Sequence, residues 1–299
     1  MKKVIGLGEA LWDCLPEGRK LGGAPANFAY HAQVNGCESY VVSAVGRDEL
    51  GDEIIEQLTD KGLNLAIATT EHPTGTVRVT LSEGGIPSYD ICRGVAWDNI
   101  PWSAELETLA KTADAVCFGS LAQRDEVSRT TILRFLDTMP QESLRIFDIN
   151  LRQDFYSADI IHESFKRANV VKINDDEWEI VKPMMGLTPI VDGDEHKPAP
   201  ERYGEDWFAG IDELINRYGW KMLILTCGTN GSYVFTTDGQ ASFKPTPKVT
   251  VVDTVGAGDS FTGSFVASIL CGKPIAEAHD TAVRVSAFVC TQAGPMPKY

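Results

Sequence analysis

The chain has 299 residues, 43% of them hydrophobic and 23% charged, with a formal net charge of −15. That length can bury a substantial core in one large or two modest domains. The acidic balance argues against a nucleic-acid partner, because phosphate backbones need clustered Lys and Arg; an anionic small molecule stays bindable where metal ions and backbone amides supply the local field.

The opening MKKVIGLGEALWD has an apolar run too short for a membrane span or secretion signal. It ends in Glu9 and Asp13 and predicts a first strand over 2–8. A helix is expected over 25–35, a strand over 40–46 and a helix over 51–61. Residues 74–97 alternate in β fashion around a Gly-Gly-Ile-Pro turn with no helix following, which predicts an antiparallel flap. Strands are expected over 115–119, 145–150 and 170–174, with helices over 127–138 and 175–182. Residues 183–206, rich in Pro, Gly and charge, read as a long surface loop. A helix over 207–218, strands over 222–228, 232–236 and 248–253, and helices over 257–271 and 275–292 complete the chain. Strands apolar on both faces, joined by helical crossovers, predict a mostly parallel sheet covered on both sides.

No stretch approaches a membrane span, and the seven scattered cysteines include no CxxC pair. They read as reduced, buried residues of a cytoplasmic protein, and the five dispersed histidines suggest no zinc site.

Where each predicted strand runs out, small or polar residues follow: Gly8 with Asp13, Gly46, Gly119, Asp148 and Asn150, Asn174, Gly228, and Asp253. Open α/β sheets bind ligands outside the carboxyl ends of their strands, so these residues outline a cleft.

The stretch VVDTVGAGDSFTG (251–263) puts Gly256, Ala257 and Gly258 at a helix N-terminus, where free amides favour negative charge. It is not a Walker A loop, which needs a Lys after its last glycine. Asp259 then has two readings: a first-turn acid on the helix dipole, or a base that takes a proton from a hydroxyl attacking a phosphoryl group. In the second, the carboxylate faces the nucleophile while amides and Mg²⁺ face the phosphate.

LGGAPANFAYHAQVNG (21–36) offers Gly22 and Gly23, against which a small polyol could lie, followed by Asn27 with both a donor and an acceptor. Asn27 could equally be a turn or cap residue, and Asp13 a solvated loop acid instead of a hydroxyl acceptor. FDINLR places Asp148, Asn150 and Arg152 on one face at a strand end, and KINDDEW places Asn174 and Glu177 where a strand becomes a helix.

Together these stretches make the chain resemble the ribokinase-like, or PfkB, carbohydrate kinases along essentially its whole length. LGGAPANFA resembles the amino-terminal signature of that family and DTVGAGDSFTG the carboxyl-terminal one, with AVGRDELGDEIIEQL, FDINLR and KINDDEWEIV in the expected order between them. GEALWD followed by LGGAPAN looks most like the fructokinases.

The resemblance implies a single ribokinase-like α/β domain over 1–299, with a small antiparallel β lid made mainly of 74–97 and residues near 12–21. It implies transfer of the γ-phosphoryl of ATP to the 6-hydroxyl of D-fructose. Asp259 would be the base, and the amides of Gly256, Ala257, Gly258 and Asp259 the anion hole. Asp13, Gly22, Gly23 and Asn27 would bind the sugar, with Asn150, Arg152 and a lid residue, Arg93, near it. Asn174 and Glu177 would organise Mg²⁺ and phosphate, the metal held through water, while Thr226, Gly228 and Gly231 would lie along the nucleotide. Asp253 and Val255 match the position of a monovalent cation, K⁺, and the lid offers an edge for a homodimer. Other members act on ribose, 2-keto-3-deoxygluconate or nucleosides, which stay open as acceptors.

Two other classes are weaker. A dinucleotide oxidoreductase would need a third glycine after GLG, and position 11 is leucine. A non-catalytic sugar sensor on the same fold would have no need of Asp259.

Overall fold

The computed structural model describes residues 1–15, 18–81, 87–187, 208 and 210–299. The strands of the first half are β1 (Lys3–Leu7), β2 (Leu11–Leu15), β3 (Gly18–Gly22), β4 (Glu38–Gly46), β5 (Asn64–Thr70), β6 (Gly75–Leu81) and β7 (Pro87–Ile91). Those that follow are β8 (Ala115–Phe118), β9 (Leu144–Asp148), β10 (Val170–Asn174), β11 (Met222–Thr226), β12 (Ser232–Thr236) and β13 (Ala241–Lys244). The α-helices among the described residues are α1 (Ala24–Val34), α2 (Glu49–Asp60), α3 (Ala104–Thr112), α4 (Glu126–Thr138), α5 (Ala158–Arg167), α6 (Asp175–Met184), α7 (Ile211–Tyr218), α8 (Ala257–Leu270) and α9 (Ile275–Cys290).

Nine strands form one sheet in the order β13-β12-β11-β10-β9-β8-β1-β4-β5. All its pairings are parallel except those of β12, which runs against both neighbours. Successive residues of one strand enter different cores, as period-2 geometry requires. Val4, Ala115, Ile146 and Ile224 pack with Phe28 of α1, Phe261 and Phe265 of α8, and Ala278 of α9. Ile5, Val116, Phe147 and Leu223 pack on the opposite face with Phe135 of α4, Phe165 of α5, Trp178 of α6 and Leu214 of α7. This is the ribokinase-like α/β arrangement, a mostly parallel sheet with helices on both faces.

The sheet order turns at β1, whose neighbours are β8 on one side and β4 on the other. Crossovers diverging from such a point leave a crevice at the carboxyl ends of β1 and β8. That is where the cleft lies.

A second, four-stranded sheet has the order β3-β2-β6-β7. Its outer pairings are antiparallel, but β2 and β6 run parallel, with Leu11 opposite Gly75. The exit from β7 is pinned by Arg124, which pairs with Asp98 at 2.8 Å with both side chains buried. Arg124 also donates to the carbonyl of Cys92 and lies 4.1 Å from the Trp97 ring.

Two features differ from the sequence expectation. KVTVVD forms no strand: Val251 and Val252 are exposed, and the amides of Val252 and Asp253 both donate to the Cys290 carbonyl. β-branched residues prefer extended backbone but need a partner strand to become a ladder. Strands β5 and β13 and helices α3 and α5 were not among the expected elements. The flap turn falls on 82–86 and most of the expected loop on 188–207, both outside the described residues.

Candidate active site

Helix α8 begins at Gly256, whose φ of 78° is left-handed. A Cβ there would stand 2.4 Å from Pro295 Cβ, so backbone conformation and space both demand glycine. Ser260 N donates to Gly256 O at 2.8 Å as the first helical bond, and Ala257 N closes a turn onto Thr254 O at 3.2 Å. Of the amides expected to form the anion hole, the Ala257 amide is therefore engaged, and Gly258 and Asp259 contribute the open first turn.

The Asp259 carboxylate accepts a 2.7 Å hydrogen bond at Oδ2 from Asn27 Nδ2 on α1. Burial and the neighbouring Asp148 push Asp259 up to about 6, against the Asn27 bond and the charges of Lys172 and Arg152. Asn27 is itself buried, and its Oδ1 has no hydrogen-bond partner. Buried side-chain oxygens are normally satisfied, so this one is a vacant acceptor beside the carboxylate.

Gly23 caps α1 at a φ of 122°, and a Cβ on it would meet the Glu9 carbonyl at 2.4 Å. Next to it, Gly22 leaves room for the Asp13 carboxylate, which a Cβ would crowd at 2.6 Å. Burial raises Asp13, opposed by the charges of Arg152 and Lys20. Arg152 is exposed and bonds the Leu151 carbonyl at 2.9 Å, while its charge reaches Glu9, Asp13 and Asp259. Asn150, at φ 44°, lines the cleft with Asp148 and Asp259. Arg93 is not among the residues lining the cleft; it stacks 4.3 Å from the Phe155 ring centre and lies 3.6 Å from Asp154.

Two residues that sequence reasoning did not single out complete this floor. Glu9 is only 4% exposed, lines the same cleft, and is pushed up to about 7 by burial, with Asp259 adding repulsion. Lys172 is buried with Nζ 3.1 Å from Asp148 Oδ1, and a Cβ on Gly258 would lie 3.1 Å from that ammonium. Burial disfavours its charge, but Asp148, Glu177 and Asp259 outweigh that and raise it to about 12. The signal for Lys172 was a lone cation in the apolar run VVKIN, since buried lysines are paired.

At the other end, Asn174 caps α6: its Oδ1 accepts from Glu177 N at 2.8 Å, and Glu177 Oε2 accepts from Asn174 N at 2.9 Å. Glu177 Oε1 takes Leu151 N at 2.9 Å, so this buried carboxylate ties the exit of β9 to the start of α6. Both oxygens keep a lone pair. Thr226 lies beside Asn174 across β10 and β11, and Gly228 and Gly231 shape the turn into β12. Asp253 accepts from Val255 N at 3.0 Å and Gly294 N at 3.1 Å, with Lys20 Nζ 3.7 Å away. Among the described residues no group of three or more His, Cys, Asp or Glu side chains is arranged to hold a metal ion, and no helix is long and apolar enough to cross a membrane.

A carboxylate at an open helix N-terminus, lining a cleft at a sheet switch point, has the form of a group-transfer site. Residues 17–298 match the model of the pfkB family of carbohydrate kinases. Fructokinase-2 of Zea mays is 28% identical over 89% of this chain and 79% of its own length. The ATP-dependent 6-phosphofructokinase of Thermoanaerobacterium thermosaccharolyticum is 25% identical over 95% of this chain and 83% of its own. The crystal structure of an uncharacterized sugar kinase from Pyrococcus horikoshii superposes with a TM-score of 0.77 at 25% identity, covering 98% and 93% of the two chains. The chain belongs to the pfkB family of carbohydrate kinases and is an ATP-dependent sugar kinase.

Proposed function

We propose that the acceptor is the 6-hydroxyl of D-fructose, giving fructose 6-phosphate and ADP. The observation that carries the assignment of the site is the 2.7 Å bond between Asn27 and Asp259, which joins two stretches 232 residues apart in the chain. One sugar hydroxyl then meets the vacant Asn27 Oδ1 and another the Asp13 carboxylate, while Gly22 and Gly23 let the ring lie against the backbone. Asp259 takes the proton of the hydroxyl that attacks phosphorus. The Gly258 and Asp259 amides, with Lys172 behind them, hold the charge that develops on the transferring group. The relatives that are fructokinases favour fructose; the relative named an ATP-dependent 6-phosphofructokinase makes a phosphorylated sugar the acceptor to compare with it.

Mg²⁺ fits the nucleotide end, where Glu177 and Asn174 offer oxygen donors to a hydrated cation shared with substrate phosphates. Bound there, it would neutralise phosphate charge. A monovalent cation beside Asp253 and Val255 would share the Asp253 carboxylate with Lys20. In the same proposal the second sheet, which carries Asp13, is the lid and offers an edge for pairing of two copies.

A panel of fructose, ribose, 2-keto-3-deoxygluconate, fructose 6-phosphate and nucleosides, assayed with ATP and Mg²⁺, tests the assignment. Fructose is expected to show the highest kcat/KM; a higher value for any of the others overturns it. The acid limb of the fructose profile is expected near pH 6, because burial and the neighbouring Asp148 push Asp259 up to about 6 and it must be deprotonated to act as the base. A limb near pH 4, the range of an unperturbed carboxylate, would show that Asp259 is not the titrating base.

A further inference from the structure

The Gly256 loop is held from outside by a segment the kinase reading leaves without a role. Residues 294–299 cross the end of α1, and each of their polar anchors is specific. Gly294 N donates to Asp253 Oδ2 at 3.1 Å. Pro295 stands against Gly256 so closely that a single added carbon on the glycine would collide with it at 2.4 Å. Met296 O accepts from Lys61 Nζ at 3.1 Å, and Pro297 O accepts from Tyr30 Oη at 2.5 Å.

The centre of this arrangement is His31. It is fully buried and touches the segment twice, Nε2 to Pro295 O at 2.8 Å and Nδ1 to the Tyr299 hydroxyl at 2.8 Å. A carbonyl only accepts, so Nε2 carries the ring proton. Burial keeps the ring neutral, at about 4, which makes Nδ1 the acceptor and the tyrosine hydroxyl the donor. The ring of Tyr299 is in turn seated on Phe288 of α9, 5.1 Å between centroids. One ring thus fixes Pro295 and Tyr299 together.

His31 lies one helical turn after Asn27 on α1, on the same face. Helix α1 therefore reaches the reacting end of α8 by two routes. Asn27 bonds the Asp259 carboxylate directly, and His31 sets the glycine loop through Pro295. The two helices also meet at Gly263, where a Cβ would lie 2.6 Å from the Phe28 carbonyl and 2.9 Å from His31 Cβ. Such an approach transmits displacement with little slack.

The geometry points to His31 as a positioning residue that, through Pro295 and Tyr299, clamps Gly256 in its left-handed conformation and so holds the Gly258 and Asp259 amides in place for the transferring phosphoryl group. This rests on the assignment of those amides made above. Its signature is catalytic, since the side-chain bonds of His31 go to Pro295 and Tyr299 and to none of the proposed sugar contacts, Asn27 on the same helix included.

Steady-state kinetics with fructose and ATP, paired with hydrogen–deuterium exchange of the intact protein, test it in Tyr299→Phe and His31→Ala. Removing one hydroxyl is expected to lower kcat roughly fivefold, and removing the ring roughly thirtyfold, with fructose KM held within about twofold. Exchange should quicken at 254–260 and stay near wild type in β1, β8 and β10. The milder variant keeps the test open should His31→Ala fail to fold. Unchanged exchange at 254–260 in both variants overturns the clamp whatever kcat does. Exchange that quickens equally through α1, α8 and α9 also overturns it, because His31 is then a packing residue only. A wild-type protein that phosphorylates no sugar in the panel, with local exchange still raised in the variants, would leave the clamp standing and remove the catalytic reading.

Discussion

Replacing Asp259 with Asn is expected to lower kcat by about 10² or more, since general base catalysis supplies ~10²–10⁴, while fructose affinity stays nearly unchanged. The substitution is close to isosteric, and an Asn side-chain oxygen can still accept from Asn27 Nδ2, which now lies 2.7 Å from the carboxylate. The glycine loop and the helix start are untouched. What disappears is the ability to remove a proton. Steady-state kinetics beside calorimetric sugar binding separate the two effects. Turnover near wild type would mean that the attacking hydroxyl is deprotonated elsewhere, with Glu9 and Asp148 as the other carboxyl groups lining the cleft.

Lys172→Met should act first on stability. The Lys172–Asp148 pair is buried on both sides, at 9% and 7% side-chain exposure, and Thr262 also approaches Asp148 at 3.4 Å. Removing one partner of a buried ion pair costs about 3–5 kcal/mol because the other charge is left uncompensated. For a chain of this size that corresponds to a fall in Tm of roughly 5–15 °C. Activity should fall as well, since Asp148, Glu177 and Asp259 lose the cation that offsets their mutual repulsion. The double variant Lys172→Met with Asp148→Asn should recover part of the lost stability, because the stranded charge is gone. A thermal midpoint equal to wild type in the single variant would show that Asp148 is already compensated from another direction.

Much of the fold was legible because its strands announce themselves locally. VVKIN and MLILT are apolar on both faces, and the helices that cross between such strands carry periodic apolar stripes. The edges were harder. β5, NLAIATT, is only half-buried along its length, so it lacks the continuous apolar run of an interior strand. KVTVVD failed in the opposite direction, having the composition of a strand but no neighbour to pair with.

At the site, Asp259, Gly256 and Asn27 could be picked out because they sit in a dense run of glycine and small residues. Glu9 and Lys172 could not be picked out in the same way. Each is a single charge whose meaning depends on which distant carboxylates the fold brings beside it. Spacing in the sequence does not carry that information. The hydrogen bonds of Glu177 to Asn174 N and Leu151 N were likewise beyond it, being set by how β9 ends beside β10.

The parallel pairing of β2 with β6 bears on the proposed sugar site. Asp13 belongs to the second sheet, whereas Asn27 and Asp259 belong to α1 and α8 on the main one. Any tilt between the sheets changes the distance across which a single sugar must reach. Ligand affinity and sheet angle are then thermodynamically linked: a sugar that touches both bodies stabilises one angle over others by its own differential binding energy. The half-exposed pair of Lys20 on β3 with Asp253 spans the same seam, and at 3.7 Å it is too weak to fix that angle alone. Trp12 on β2, whose Nε1 donates to Leu50 O at 2.9 Å, braces the joint from its other side, and a sugar held as proposed would add to that brace.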